Sequence, residues 1–411
     1  MEPPNHPPIA VEHISSPTAI PRVLLIHNRY RLPGGEDVVA DAQAALLEEC
    51  GHTVCRFEKN NADINSYSIL SKAALYFKTA GNASSARAVR RIVTEFKPQV
   101  AHVHNTLPLI SPSIYKPLHK AGVKVIQWLH NYRLVCPAGT LYRSGAPCAL
   151  CLQDGLHNAV KYTCWSDSTL ATMALVRMLK KHRRAGTWRK HVDLFVALNA
   201  FQKQVLVESG GVPEDKIIVQ PNFSNAPSLE APAPVGGSGE FLFIGRLTPE
   251  KGVLALLRAM ASLRDVPIAI AGDGPLSSVV QRACSAPGHV WLGQVPRDVL
   301  RARLESARAL IFTSEWPEGC PSVILEALAC GKPVIASSVP GARELLQEGK
   351  TALFFPPGNI EALADCVRQL IANPQLEVNM AAAALQHFKA SFSREAGYRN
   401  LSANYARLGL G

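Results

Sequence analysis

The chain has no apolar run of the about 20 consecutive residues that a bilayer-crossing helix needs. It has no secretory signal either. The opening stretch MEPPNHPPIAVEHISSPTAIP carries six prolines and lacks a basic-then-apolar order, so residues 1–20 read as a disordered leader. Ten cysteines in 411 residues are too few and too irregularly spaced for a secreted disulfide scaffold. A cytoplasmic protein, peripheral on the cytoplasmic membrane face, is the expectation. No fixed-period repeat and no aromatic-rich RNA motif occurs.

Three phosphate-site signatures are also missing. The Gly-Lys-Ser/Thr order of a P-loop is absent, because FIGRLTPEKG (Phe243–Gly252) reads Lys-Gly instead. A full G-x-G-x-x-G is absent, which removes the nicotinamide fingerprint. No two aspartates have D-x-D spacing, which disfavours a sugar-nucleotide enzyme that grips Mg²⁺ through such a pair. Any diphosphate bound here must be neutralised by protein cations and helix amides.

What is present is enough chain for two domains, with 47% hydrophobic residues. Apolar strands alternate with helices. Arg22–Asn28, Thr53–Phe57, Gln99–Asn105, Val123–Asn131, Val192–Asn199 and Lys216–Asn222 form a first series. A helix over Asp37–Cys50 is expected within it. Residues 224–239, rich in Pro, Gly, Ser and Ala, read as a linker. EFLFIGRL, PIAIAGDGP, VWLGQV, ALIFTS, KPVIAS and ALFFPP form a second series. This is an α/β pattern of parallel sheets covered on both faces. The expected division is an N-terminal domain over 21–223, a C-terminal domain over 240–390, and a final helix over 391–411 packing back on the first domain. Ligands of such sheets bind at the carboxyl ends of the strands. That directs attention to Asn28, Asn105, His130, Gly245, Asp273 and Ser314.

The stretch PEGCPSVILEALACGKPVIAS (Pro317–Ser337) reads as a loop, a buried helix and a strand. Glu318 stands at the helix entry and Glu326 inside it. A buried carboxylate needs a polar partner. The partner is either a core cation or the hydroxyls of a ligand. Arg246 and Lys251, just after a strand and at a helix start, are either an anion site or two surface cations. Gly34 and Gly35 precede a helix, as a plain turn or as a place where a ligand approaches backbone amides.

GRLTPEKG, then AGDGP, then EGCPSVILEALACGKPVIA, in that order, resembles glycosyltransferase family 4 over residues 22 to 390. The family's mark is the E-x7-E motif, here Glu318 and Glu326. GGEDVV and HNYRLVCPAGTLYR resemble one of its subgroups. The resemblance implies the GT-B fold, two facing Rossmann-like parallel-sheet domains with an interdomain cleft. It implies a retaining, metal-independent hexosyltransferase that uses a nucleotide-diphosphate sugar. The acceptor would be a glycan or lipid-linked intermediate of cell-surface polysaccharide or glycoconjugate synthesis. Arg246 and Lys251 would then grip the donor diphosphate, Glu318 the sugar hydroxyls and Glu326 the ribose. Gly34 and Gly35 would approach the phosphate, and His130 would touch the donor sugar. Gly245, Asp273, Gly293, Gly319 and Cys320 would complete the donor site. His27, His102 and His104 read as structural. A sugar-nucleotide epimerase of the same architecture, told apart by glycan extension, and a basic nucleic-acid-binding module, told apart by salt-sensitive binding, remain as alternatives.

Two features depart from the common pattern. Cys136, Cys148, Cys151 and Cys164 give C-x11-C-x2-C-x12-C, which fits either a tetrahedral structural zinc or four unrelated thiols. Residues 161–191 hold eight Lys/Arg against one Asp and supply most of the net charge of +11. Within them TLATMALVRMLKKHRR has an apolar start and a cationic end, which fits either a solvated helix face or a helix lying in an anionic membrane interface.

Overall fold

The computed structural model describes residues 20–31, 34–231, 239–285 and 287–410. The leader and the middle of the linker lie outside them. The strands are β1 (Val23–Arg29), β2 (Val54–Asn60), β3 (Val100–Val103), β4 (Lys124–Leu129), β5 (Tyr142–Arg143), β6 (Ala146–Pro147), β7 (Leu194–Ala197) and β8 (Ile217–Val219) in the first half. The second half holds β9 (Phe241–Ile244), β10 (Ile268–Ala271), β11 (His289–Gly293), β12 (Ala309–Phe312), β13 (Val334–Ser337) and β14 (Ala352–Phe355). Apart from the small β5–β6 hairpin they form two parallel six-stranded sheets, ordered β2-β1-β3-β4-β7-β8 and β11-β10-β9-β12-β13-β14.

Parallel sheets must be covered on both faces, which is why their strands are unbroken apolar runs rather than alternating ones. Val23 to Ile26, Val100 to Val103, Leu194 to Ala197 and Val334 to Ala336 are all buried. One face of the first sheet packs on Ile110, Tyr115, Leu179 and Trp188. The other carries Leu401 and Tyr405 of the Arg394–Arg407 helix against Val23, Val100, Ile126 and Val196. The last helix of the chain thus closes the first domain's core. Among the described residues no helix is long and apolar enough to cross a membrane.

In both sheets the chain starts in the middle, runs to one edge, then returns to build the other. The order reverses between β1 and β3 and between β9 and β12. Such switch points leave a crevice outside the strand ends, where ligands of open α/β sheets bind.

The Thr169–Ala185 helix corrects one expectation. Its apolar start does not face solvent as a whole. Thr172, Ala174, Leu175, Val176, Met178 and Leu179 are buried in the first domain. The helix packs on the core through that face, leaving a narrow stripe outward.

Candidate active site

At the second switch point, β9 ends in Gly245 and Arg246, and β12 ends in the loop to Glu318. A turn at Pro249–Lys251 precedes the Val253–Met260 helix. Gly252 has φ of +68°, and a Cβ there would lie 1.8 Å from the Thr313 carbonyl oxygen. Only glycine lets the Lys251 turn press this closely on the end of β12. Lys251 Nζ consequently reaches Glu318 Oε1 at 2.8 Å. Glu318 is buried and Lys251 half-buried. Arg246 is exposed and, among the described residues, its guanidinium forms no hydrogen bond or ion pair.

The Ser322–Ala329 helix buries Ile324, Leu325, Ala327, Leu328 and Ala329. Glu326 lies half-buried between them, and its carboxylate forms no hydrogen bond or ion pair with another described residue. Burial pushes its carboxyl up, opposed by Arg297 and Arg301 nearby. The core-cation alternative therefore fails in its simple form: those arginines are near but do not bind the carboxylate.

The two domains meet around the residues just before this helix. Asn199 caps the Ala200–Glu208 helix through Oδ1, accepting from the Gln202 amide at 2.7 Å. Its Nδ2 donates to the carbonyls of Glu318 and Gly319 at 3.0 and 2.8 Å. A Cβ on Gly319 would come within 3.0 Å of Leu198 and 3.5 Å of the His130 carbonyl oxygen. Across the same gap Tyr142 Oη donates to Glu315 Oε2 at 3.2 Å. His130, Glu318, Gly319 and Lys251 are thus brought to one place from both domains. Cys320 follows directly, its thiol pushed up to about 12 by burial.

The first switch point is built differently. Asn28 and Asn105 stitch β1 to β3: the Asn28 amide donates to the Asn105 carbonyl at 2.8 Å and Asn105 Nδ2 returns to the Asn28 carbonyl at 2.7 Å. His27 Nε2 meets Asp37 Oδ1 at 2.8 Å. His104 Nδ1 lies 2.9 Å from His130 Nε2. Burial and the neighbouring histidines hold His104 well below the usual imidazole range, and burial lowers His130 too. Beside them Glu36 accepts from Asn131 Nδ2 at 2.6 Å and from Tyr30 Oη at 2.9 Å. Gly34 caps the Gly35–Glu49 helix with extended φ of −127°, and a Cβ on Gly35 would meet nothing within 4 Å. No protein atom requires glycine at position 35.

Asp273 and Gly293 lie at the ends of β10 and β11, on the edge side of the second sheet. The Asp273 carboxylate is occupied by its own turn, accepting from the Gly274 amide and Ser277 Oγ, which lowers its pKa. The Gly293 carbonyl accepts from the Gly272 amide at 2.8 Å.

The zinc expectation is not met. All four cysteines are free thiols, and among the described residues no three His, Cys, Asp or Glu are grouped to hold a metal ion. Cys136, Cys148, Cys151 and Cys164 are near enough to feel one another's charge. Cys136, Cys151 and Cys164 nevertheless pack against the apolar core, and burial pushes Cys151 up to about 11.

Asn199, Glu36 and Gln43 were not singled out by sequence. Asn199 carried a signal, as the polar end of an apolar strand. Glu36 lay inside the GGEDVV stretch without being named, and Gln43 carried no signal, because its partners come from distant segments.

Residues 229–387 match the family model described as "Glycosyl transferases group 1". Alpha-D-kanosaminyltransferase of Streptomyces kanamyceticus is 30% identical over 177 residues, 41% of this chain and 46% of that protein. A phosphatidyl-myo-inositol mannosyltransferase of Mycobacterium leprae is 29% identical over 206 residues, 48% of this chain and 54% of that one. The chain therefore spans about half the length of these relatives. Among solved structures, sucrose-phosphate synthase from Thermosynechococcus elongatus superposes with a TM-score of 0.68 at 17% identity, covering 94% of this chain and 99% of that one. Anabaena HepE in complex with UDP gives 0.64 at 17% identity, covering 94% and 100%. These neighbours establish the GT-B fold.

Proposed function

We infer that this chain, whose residues 229–387 belong to the group 1 glycosyl transferases, is a retaining glycosyltransferase that moves a hexose from a nucleotide-diphosphate sugar to a glycan or lipid-linked acceptor. The observation that carries this reading is Glu326: a half-buried carboxylate without a partner among the described residues, on the helix that follows the Lys251–Glu318 pair. A ribose supplies the hydroxyls such a carboxylate lacks. A diphosphate supplies the counter-charge for Arg246 and Lys251.

In the reaction the bond from the anomeric carbon to the diphosphate oxygen breaks, and one to the acceptor hydroxyl oxygen forms on the same face. The acceptor proton passes to the departing diphosphate. Negative charge grows on that leaving group, and preorganised cations stabilise it more in the transition state than in the ground state. Glu318 holds Lys251 in place and turns its other oxygen to sugar hydroxyls. Gly34 and Gly35 leave room for the phosphate on the opposite wall, and His130 touches the donor sugar. Arg246 and Lys251 do the work that a D-x-D-held ion does elsewhere. A thermal-shift screen against UDP-, GDP- and ADP-hexoses tests the reading, since a ligand at 100 times its Kd adds about 2.7 kcal/mol. A shift with one of them, followed by its turnover with a glycan or lipid-linked acceptor, supports it. No shift with any of them contradicts it.

The partner surface lies on the first domain. The Ile69–Lys78 and Thr169–Ala185 helices run side by side in parallel: Arg177 stacks over Tyr76 and Phe77, and Lys181 Nζ donates to the Ala80 carbonyl at 3.0 Å. Their outward stripe exposes Leu70 (83%), Phe77 (64%), Leu170 (57%) and Met173 (42%). Lys72, Lys78, Arg177, Lys180 and Arg184 are exposed on the same two helices. Exposed apolar side chains and cations on one helix pair suit an anionic bilayer, each cation near the surface contributing about 1 kcal/mol. The Leu70→Ser/Phe77→Ser variant should lose sedimentation with anionic vesicles. Salt-independent binding, equal on neutral vesicles, contradicts the assignment.

A further inference from the structure

The buried groups behind His130 form one hydrogen-bonded row that the proposed chemistry does not use. Tyr405 Oη, on the last helix, lies 3.0 Å from His102 Nε2. His102 Nδ1 lies 2.6 Å from Gln43 Oε1. The same oxygen lies 3.2 Å from His104 Nε2. His104 Nδ1 then faces His130 Nε2 at 2.9 Å, with the two rings nearly parallel at 12°. Gln43 and the inner two histidines are buried.

An amide oxygen carries no hydrogen and can only accept. Both imidazole nitrogens that face Gln43 Oε1 must therefore carry their protons. Burial holds His102 down to about 3 and His104 well below the usual range, so each ring is neutral and has one N–H. His104, protonated at Nε2, is bare at Nδ1. The contact with His130 is then a hydrogen bond only if His130 donates from Nε2. His130 is lowered as well and is neutral near pH 7. Its single proton is used on His104, and Nδ1 is left with a lone pair. Were the Gln43 amide reversed, its NH₂ would face both rings and every proton in the row would change sides. The orientation of one amide sets the state of the ring at the cleft.

We propose that Gln43 is a positioning residue that, through His104, fixes His130 as the Nε2–H tautomer and leaves Nδ1 as an acceptor for a hydroxyl of the bound sugar. The hydroxyl part rests on the reading of His130 as a donor-sugar contact; the tautomer part does not. A bare ring nitrogen accepts from a hydroxyl and repels a carboxylate. The site would therefore favour a neutral hexose over the corresponding hexuronate.

The test is nitrogen NMR of the full chain labelled with ¹⁵N-histidine, with His130 assigned by its loss in His130→Gln. The wild type should show a protonated Nε2 and a bare Nδ1 at His130. A protonated Nδ1 overturns the proposal without recourse to any variant. Gln43→Met removes the acceptor at similar volume and should give a mixture of His130 tautomers. If it keeps the single Nε2–H form, Gln43 is not the positioning residue. Whichever of UDP-glucose, GDP-mannose and ADP-glucose binds should then move the Nδ1 resonance, while its free nucleoside diphosphate should not. Equal movement by both overturns the hydroxyl contact. Binding by none of the three leaves the tautomer standing and removes the donor reading instead.

Discussion

The two switch points of this molecule are built from the same topology and treated in opposite ways. Between β1 and β3 the strand ends are closed upon themselves: Asn28 pairs with Asn105, His27 with Asp37, and His104 with His130 and Gln43. Between β9 and β12 charges are left open, with Arg246 unpaired among the described residues and Glu326 without a bound partner. A closed, neutral edge is rigid before any ligand arrives. An open, charged edge costs stability until a ligand of opposite charge fills it. Under the proposed function, the open edge would take the nucleotide diphosphate and the closed edge would orient the sugar.

The largest effect should come from the open edge. Lys251→Ala should lower kcat by roughly 10²–10³, the scale of losing one preorganised donor to a developing charge. Steady-state turnover checks it, and an unchanged kcat would move the charge clamp elsewhere. Glu326→Ala should act on binding instead, because ribose contacts change little along the reaction. Loss of hydrogen bonds to a charged group, about 1.5–3 kcal/mol, weakens nucleotide binding by roughly 10- to 150-fold. Calorimetry of nucleotide binding reads this directly.

A smaller effect sharpens the boundary between the two edges. Asn199→Asp keeps the acceptor that caps the Ala200–Glu208 helix but removes the donors to Glu318 and Gly319. Chemical denaturation should show a loss of about 1–3 kcal/mol, the cost of leaving buried carbonyls unpaired. A last effect appears only in acid and is absent near neutral pH. His102 is held neutral down to about 3 in the folded chain, whereas an unfolded histidine takes up a proton near 6.5. Below that value the unfolded state binds more protons, so stability falls as pH drops from about 6.5 towards 3. His102→Gln should flatten that part of the stability profile.

The frame was legible because parallel strands covered on both faces are continuous apolar runs, and β1, β4, β9 and β13 read as such. The open edge was legible for a similar reason. Glu318 and Glu326 sit in one contiguous loop and helix, and Lys251 in another, so their order alone carries the pattern. The closed edge was not. His102 meets Gln43 across 59 residues and Tyr405 across 303, and Asn199 meets Glu318 across 119. Such pairings exist only once the sheet has formed. The four clustered cysteines were legible as a group but not in their surroundings: three of the four thiols pack against apolar core, which spacing alone does not show. The Thr169–Ala185 helix was legible as amphipathic, but not that most of its apolar side chains serve the domain's own core and leave only an outer stripe to solvent.

In the proposed reaction protein cations, rather than a divalent ion, neutralise the leaving diphosphate. The direct measurement is turnover of the identified donor by the wild type and by Lys251→Ala, each in chelator and again after Mg²⁺ is added back. Full wild-type turnover in chelator, no gain from Mg²⁺ and a deep loss in Lys251→Ala are expected. Turnover that is absent in chelator, appears with Mg²⁺ and survives Lys251→Ala would contradict that reading.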